Sequence, residues 1–240
     1  NVDPLLRAIR STAPTVDILI VDDASPDHTA DRAAALGHRL GRISVMRRSG
    51  EPGLGGAYRD GFRYAVDHAY DAVVEMDADL SHDPAAIPAL LGQLSAGADL
   101  VIGSRYTTGG ATPGWPHRRR MLSRGASLYA RLLLHLPSSD PTGGYRAFRT
   151  SLLRDCEVGT VRANGFAFQL EMLHRVERLH AVIAEVPIVF HDRTAGESKM
   201  SARIAREALG LVVELRLHPW VPTTRRARDL PVERAVPLSA

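Results

Sequence analysis

Three carboxylates, those of Asp77, Asp79 and Asp83, follow the apolar run 72–74 and form the strongest chemical signal in the sequence. In an extended segment, residues two positions apart face the same side, so Asp77 and Asp79 can direct both carboxylates at one point. A hard divalent cation such as Mg²⁺ or Mn²⁺ accepts oxygen ligands of this kind. The alternative is a surface turn whose acids cap a helix that begins near Pro84. By itself, the motif leaves a cation site and a capping turn both open.

A second acidic pair, Asp22 and Asp23, follows the predicted strand 17–21. A carboxylate at this place could accept hydrogen bonds from a nucleobase or a ribose. The simpler interpretation is a turn that caps the next helix, and taken alone the pair favours that interpretation.

The segment 53–58 contains Gly53, Gly55 and Gly56 just before a predicted helix. Glycines allow the backbone to approach a ligand closely, and N–H groups at the start of a helix can face a phosphate. The segment matches neither the dinucleotide fingerprint nor the P-loop, so it is a weak signal on its own.

Basic residues form a series in the second half of the chain. Guanidinium groups bind phosphate oxygens in pairs of hydrogen bonds, so several of them together would indicate an anionic ligand. A solvated helix face is the favoured interpretation for Arg118 and Arg120, whereas Arg105 directly follows a predicted buried strand. The series consists of Arg105, Arg118, Arg119, Arg120, Arg124, Arg193 and Lys199.

The elements that must position these residues alternate along the first half of the chain. Apolar runs predict strands at 17–21, 43–46, 72–76 and 99–103, and amphipathic segments predict helices at 29–36, 57–68 and 84–96. This is the pattern of a doubly wound sheet, in which ligand sites lie at the carboxyl ends of the strands. Beyond a predicted loop at 106–116, we expect helices at 118–136, 166–179 and 200–217 and a strand within 181–190.

Composition limits the class of protein. The 240 residues, 45% hydrophobic and 24% charged, suit one α/β domain. A net charge of +3 gives no indication of a nucleic-acid partner. The single Cys156 excludes an internal disulfide and a cysteine-based zinc site, which favours a reducing compartment. No signal peptide or long apolar run occurs, and the chain starts at Asn1 without Met, so we expect a fragment of a longer product.

Taken in order, the motifs resemble an inverting glycosyltransferase of the GT-A fold, in the family of dolichol-phosphate mannose synthases and their bacterial polyprenol-phosphate counterparts. The resemblance spans residues 1–210. It implies an α/β domain at 1–217, with a mostly parallel central sheet flanked by helices, and a Pro/Arg-rich tail at 218–240. The blocks that carry it are G-S-R-Y at 103–106, G-W-x-x-x-R at 114–119, D-P-T-G-G-Y-R at 140–146, F-A-F-Q-L-E-M at 166–172 and V-P-I-V-F-H-D-R-T-A-G-E-S-K at 186–199.

This resemblance implies metal-dependent transfer of mannose from GDP-mannose to a polyprenyl (dolichyl-type) phosphate, with inversion at the sugar carbon. Asp77 and Asp79 would hold Mg²⁺ or Mn²⁺, and Asp79, Arg105 and Arg119 would serve catalysis. The acceptor phosphate would contact Arg105, Arg119 and Ser123. The donor nucleotide would contact Asp22, Asp23, Gly53, Gly55, Asp77, Ala78, Asp79, Ser81, Arg193 and Lys199.

The sequence also departs from the family pattern. The first strand of the fold and the transmembrane helices of some relatives are missing from it. We therefore expect a peripheral protein on the cytoplasmic, inner face of the cell membrane, held by its own surface or by a separate membrane-anchoring protein. Two alternatives stay open: a glucosyl- or aminosugar transferase that uses a UDP-sugar, and a non-catalytic nucleotide-binding scaffold.

Overall fold

The protein is described by a computed structural model for residues 1–49, 53–192 and 202–223, without the side chains of residues 166, 202–205 and 207. Short, largely apolar segments form the strands, as the sequence predicts. They are β1 (Ile18–Asp22), β2 (Ile43–Arg47), β3 (Ala72–Glu75), β4 (Leu100–Ser104), β5 (Arg146–Arg149) and β6 (Ile183–Pro187).

Helices connect the strands and cover the sheets, and their apolar faces alternate with polar ones at helical spacing. They are α1 (Val2–Thr12), α2 (Thr29–Leu40), α3 (Leu54–Asp67), α4 (Ile87–Ser95), α5 (His117–Leu134), α6 (Thr150–Asp155), α7 (Phe166–Arg178) and α8 (Ala202–Leu217), with short 3₁₀ turns at Pro84–Ala86 and Val158–Thr160. Within the part of the chain that the structure covers, no helix has the length and hydrophobicity needed to cross a bilayer.

The strands form two sheets. β1 and β2 pair in parallel, with Ile18 opposite Ile43. The second sheet has the order β3-β5-β4-β6, in which β5 is antiparallel to both neighbours and β4 is parallel to β6. β3, β4 and β6 therefore run in one direction, which confirms the mostly parallel arrangement. The sequence interpretation missed β5, which is only four residues long.

A cavity of about 800 Å³ separates the two sheets. β1 lines one side of it and β3 the other, while side chains of α1, α3 and α4 cover its faces. β1 pairs with β2 on its other side, so its free edge borders the cavity.

Two hydrophobic clusters support the strand ends. One contains Phe62 of α3, Phe148 of β5 and Phe168 of α7, and the ring of Phe62 contacts the other two. The other packs α1, α2 and α4 against the two sheets. Both clusters pack against β3 and β4, the strands whose carboxyl ends carry the candidate site residues.

The beginning of the predicted tail contacts the domain. Arg175 of α7 stacks on Trp220, with 5.0 Å from its guanidinium carbon to the ring centre. The Thr223 amide donates to Glu157. Residues 224–240 lie outside the described residues, so the boundary at 217 stays a prediction.

Candidate active site

The acidic turn follows β3 directly. The Tyr58 hydroxyl donates to Oδ1 of Asp77 at 3.4 Å, and Oδ1 of Asp79 accepts the Ser81 amide at 3.0 Å. Leu80 adopts a left-handed conformation with φ of 69°, which turns the chain sharply. Both carboxylates are half-buried. Asp83 instead accepts the Ala85 amide at 2.9 Å and caps the following 3₁₀ turn, which confirms the capping interpretation for this residue alone.

The donor set of this turn fits a cation that arrives with a diphosphate. Among the described residues, no three His, Cys, Asp or Glu side chains converge as a complete metal site. Mg²⁺ typically binds one or two carboxylates and takes its other ligands from phosphates and water. Asp77 and Asp79 can supply the two carboxylates. The Ser81 hydroxyl is buried and has no partner among the described groups, so it is a further oxygen ligand at hand.

Arg146 of β5 lies opposite Glu75, which is two residues before Asp77. The Arg146 guanidinium donates to the carbonyls of Gly143, Gln169 and Pro141 at 2.8, 2.9 and 2.7 Å. Burial raises the pKa of the Glu75 carboxyl to about 8, although the charge of Arg146 acts in the opposite direction. Arg146 thus fixes the loop that enters β5, beside the acidic turn.

Asp22 and Asp23 have different surroundings. Asp22 is buried and accepts the Ser25 amide at 3.1 Å, so it caps its turn as the simpler interpretation predicts. Asp23 forms an ion pair with Arg48 and accepts the Gly53 amide at 2.7 Å. The structure therefore brings Asp23 and Gly53 together, as expected of residues near one ligand, and turns the Asp22 carboxylate toward its own backbone.

Gly55 has a packing reason to be glycine. A Cβ at this position would lie 2.7 Å from the carbonyl oxygen of Ala163 and 2.9 Å from the Cα of Asn164. Arg59 fixes the same segment by donating to the Ala163 carbonyl at 3.1 Å. This close contact between the start of α3 and residues 163–164 suffices to require the glycine.

Arg105 follows β4 and is held by a carboxylate that the sequence interpretation did not select. Its Nε and Nη2 donate to the two oxygens of Asp140 at 2.7 and 2.6 Å, and Nη2 also donates to Thr142 at 2.9 Å. Burial lowers the pKa of Arg105, but Asp140 outweighs it, so the net shift is upward. Nη1 makes no hydrogen bond within the described residues, so it can donate to a further anion.

Arg119 also lies close to Trp115. Its guanidinium carbon is 4.0 Å from the ring centre of Trp115, and that of Arg105 is 5.6 Å away. Nη1 of Arg119 donates to Oδ1 of Asp192 at 2.6 Å, in a pair that is about half exposed. Two arginines thus converge on one buried indole ring.

Ser123 joins the same group through Tyr106. The Tyr106 hydroxyl donates to the Ser123 hydroxyl at 2.6 Å, and the Arg105 guanidinium carbon lies 5.3 Å from the Tyr106 ring. The structure therefore brings together the three residues predicted to hold the acceptor phosphate. Arg105 and Arg119 lie close to Trp115, and Ser123 is linked to Arg105 through Tyr106.

Of the three remaining predicted residues, the structure describes one. Ala78 is exposed between Asp77 and Asp79. Arg193 and Lys199 lie outside the described residues. The sequence interpretation missed Asp140, Trp115 and Asp192 as site residues, although all three stand in blocks that it quoted. No spacing rule marks them, because each acts through a partner distant in the chain.

Comparison with known proteins gives one family. The model of "Glycosyl transferase family 2" matches residues 1–156. An undecaprenyl-phosphate mannosyltransferase of Micrococcus luteus is 46% identical over 204 residues, which cover 85% of this chain and 84% of the relative. A polyprenol monophosphomannose synthase of Mycolicibacterium smegmatis is 41% identical over 215 residues, 89% of this chain and 81% of the relative.

Among solved structures, glucosyl-3-phosphoglycerate synthase from Mycobacterium tuberculosis, in complex with Mn²⁺, UDP and phosphoglyceric acid, is similar with a TM-score of 0.65. The similarity covers 93% of this chain and 75% of that one at 21% sequence identity. At this identity the comparison supports the fold, which is the one expected from the order of the motifs.

Proposed function

Because the chain belongs to glycosyl transferase family 2, we propose that it transfers mannose from GDP-mannose to the phosphate of a polyprenol, with inversion at the sugar carbon. The names of the two bacterial relatives support the polyprenyl phosphate acceptor and the mannosyl group. One observation on this chain carries the proposal. The carboxylates of Asp77 and Asp79 follow β3, and two arginines lie close to Trp115 in the segment that follows β4, at the same edge of one sheet.

On the donor side, Asp77 and Asp79 would hold Mg²⁺ or Mn²⁺ against the diphosphate of the nucleotide sugar, with Ser81 as a weaker oxygen contact. A bound cation would neutralise negative charge that develops on the departing diphosphate. The nucleoside would lie toward Asp23 and Gly53, whose mutual hydrogen bond fixes the start of α3.

The remaining donor contacts predicted from the sequence stay part of this proposal. Asp22 would contribute by shaping its turn, because its carboxylate is already engaged by the backbone. Gly55 would contribute through its close packing against residues 163–164. The other members of the set are Ala78, Arg193 and Lys199.

On the acceptor side, Arg105 and Arg119 would bind the phosphate monoester, with Ser123 as a further hydroxyl contact. Nη1 of Arg105 is available to an anion, and Asp192 could exchange its place on Arg119 with a phosphate oxygen. Because the phosphate is already anionic at neutral pH, it needs no strong general base. The contribution of these residues is to hold a charged nucleophile in line with the departing group.

The proposed reaction balances without another reactant. A phosphate oxygen of the acceptor forms a bond to the anomeric carbon of the sugar, on the face opposite to the bond that breaks. The bond from that carbon to the diphosphate oxygen breaks, and the diphosphate leaves with the electron pair. Inversion follows because attack and departure occur on opposite faces of one carbon.

A polyprenyl acceptor requires contact with a membrane, and the packed helices α5 and α8 offer a suitable surface. The Tyr129 hydroxyl of α5 donates to the Leu209 carbonyl of α8, which holds the helices side by side. Exposed Arg118 and Arg124 add positive charge, which favours anionic lipid surfaces. The exposed apolar residues are Met121, Leu122, Leu128 and Leu132 on α5 and Leu209 and Val213 on α8.

We propose that the protein lies peripherally on the cytoplasmic face of the cell membrane. Replacing Leu122 and Leu132 together by Ser should weaken co-sedimentation with vesicles that contain anionic lipids. Val182→Ser removes another exposed apolar side chain, at the opposite end of the sheet, and should leave binding unchanged. Equal binding by all three proteins would favour a separate membrane-anchoring protein.

The decisive experiment compares donors. The protein is incubated with polyprenyl phosphate, with Mg²⁺ or Mn²⁺, and with labelled GDP-mannose or UDP-glucose, and lipid-linked sugar is measured. We expect product from GDP-mannose. Product from the UDP-sugar alone would refute the mannosyl assignment, and GDP binding without product from either donor would support a scaffold.

Two substitutions in one turn localise the chemistry. Asp79→Asn should reduce transfer by at least about a hundredfold, because it removes a proposed cation ligand. Asp83→Asn should stay within a few-fold of the unsubstituted protein, because asparagine can still cap the turn that Asp83 caps. Equal rates for the two variants would remove Asp79 from the site.

A further inference from the structure

His82 lies behind the acidic turn and touches its backbone. Its side chain is 2% exposed, and Nδ1 accepts the backbone N–H of Asp77 at 3.0 Å. A ring nitrogen that accepts a hydrogen bond is unprotonated, so the ring is neutral and carries its proton on Nε2. Burial lowers the pKa of His82, which agrees with a neutral ring. The bond closes the turn across five positions of the chain.

Two aromatic side chains fix the ring of His82. Tyr145 stacks on it with ring centres 4.8 Å apart, and Phe190 meets it edge-on at 5.4 Å. The Tyr145 hydroxyl also donates to the Asp83 carbonyl at 3.0 Å, on the far side of the same turn. His82 therefore has little freedom to move away from Asp77.

The turn needs such support. Leu80 occupies the left-handed region, which is unfavourable for a residue with a side chain unless the surroundings hold it there. Inside the turn, the Asp79 carboxylate accepts the Ser81 amide. The His82 bond is the contact that ties the first residue of the D-x-D motif to the last part of the turn.

We infer that His82 is a positioning residue for the cation: its Nδ1 holds the Asp77 backbone so that the Asp77 and Asp79 carboxylates face one point. The inference rests on the proposed cation site at these two aspartates. Hydrogen-bond partners behind metal ligands are often as important as the ligands, and their loss typically lowers metal affinity by about 10- to 100-fold.

Two variants separate the hydrogen bond from the packing. His82→Phe keeps an aromatic ring between Tyr145 and Phe190 but has no acceptor. His82→Asn keeps an acceptor atom, Oδ1, at a position similar to that of Nδ1 but loses the ring. We expect His82→Phe to weaken Mn²⁺ binding about 10- to 100-fold, and His82→Asn to stay within about threefold of the unsubstituted protein.

The measurement is Mn²⁺ affinity in the presence of GDP, by electron paramagnetic resonance of the free ion, with circular dichroism to verify folding. The reverse order, in which His82→Asn loses affinity and His82→Phe keeps it, would overturn the inference and assign a packing role. Equal affinity of both variants and the unsubstituted protein would overturn it too. If His82→Phe does not fold, a tenfold loss in His82→Asn overturns the inference and retained affinity supports it.

A failure of the underlying site would look different. If the unsubstituted protein and Asp79→Ala bind Mn²⁺ equally weakly, the cation site itself is refuted, together with the role of His82. If Asp79→Ala loses the binding that the unsubstituted protein has, the site stands and only the two His82 variants decide this inference.

Discussion

Glu75→Gln should make the protein more stable than the unsubstituted chain at pH 8 and change stability little at pH 5. Glu75 is 4% exposed, and burial raises the pKa of its carboxyl from the ordinary 4.5 to about 8. At neutral pH the carboxyl is therefore mostly protonated in the folded protein and ionised in the unfolded chain. Glutamine reproduces the neutral form at nearly the same volume and stays uncharged at every pH.

The magnitude follows from the difference between the two pKa values. Because the folded protein holds this proton more tightly, the contribution is fully present below pH 4.5 and is lost as the pH rises toward 8. The loss is about 1.4 kcal/mol for each pH unit, or about 4 kcal/mol between pH 5 and pH 8. Because even buried charges in proteins interact as in a medium with an effective dielectric constant of about 20, we expect between about 2 and 4 kcal/mol.

The assay is guanidinium chloride unfolding at pH 5, 6, 7 and 8, in EDTA so that no cation binds the neighbouring aspartates. The free energy of unfolding of Glu75→Gln minus that of the unsubstituted protein should increase with pH. Glu214→Gln, which changes an exposed carboxylate on α8, is the matched control and should follow the unsubstituted protein. A difference for Glu75→Gln that stays constant or decreases with pH would refute the reasoning.

Three further predictions concern the acceptor side, the core and the cation. Asp140→Asn leaves the buried Arg105 charge without its counter-ion and should lower the free energy of unfolding by about 3 to 5 kcal/mol. A loss below about 1 kcal/mol in denaturant unfolding would contradict this expectation. Phe62→Ala, which removes the ring packed 5.2 Å from that of Phe148, should cost about 3 to 5 kcal/mol, whereas Leu132→Ala on the exposed face of α5 should cost less than about 0.5 kcal/mol. EDTA should abolish the formation of lipid-linked sugar, and added Mg²⁺ or Mn²⁺ should restore this activity. Transfer that continues in EDTA would contradict the proposed cation site.

Strand ends were the most predictable part of the molecule. Uninterrupted apolar runs mark β1, β3 and β4, and the residues after them emerge at an edge where ligands commonly bind. This reasoning placed Asp77, Asp79 and Arg105 just after strand ends, which is where the structure has them, and their roles stay predictions. The capping alternative is confirmed for Asp83, whose place directly before Pro84 is a local signal.

Contacts between distant segments could not be predicted in this way. β5 is too short for periodicity to reveal it, and it exists because β3 and β4 both pair with it. The partner of Arg105 is Asp140, 35 positions further along, and that of Arg119 is Asp192, 73 positions further along. Such pairs depend on how loops fold back over the sheet, which composition and spacing do not encode.

The reversed strand β5 sets a distance. It lies between β3 and β4, so the ends of those two strands are two interstrand spacings apart, or about 9.5 Å. One hexose with a phosphate on each side needs a gap of this order between its two charged neighbours. With β3 and β4 as direct neighbours, the proposed cation and the arginines would crowd together, and the donor diphosphate would repel the acceptor phosphate before it reached the sugar carbon. In the proposed reaction, the short antiparallel strand β5 would thus act as a spacer between the cation site and the site of the acceptor phosphate.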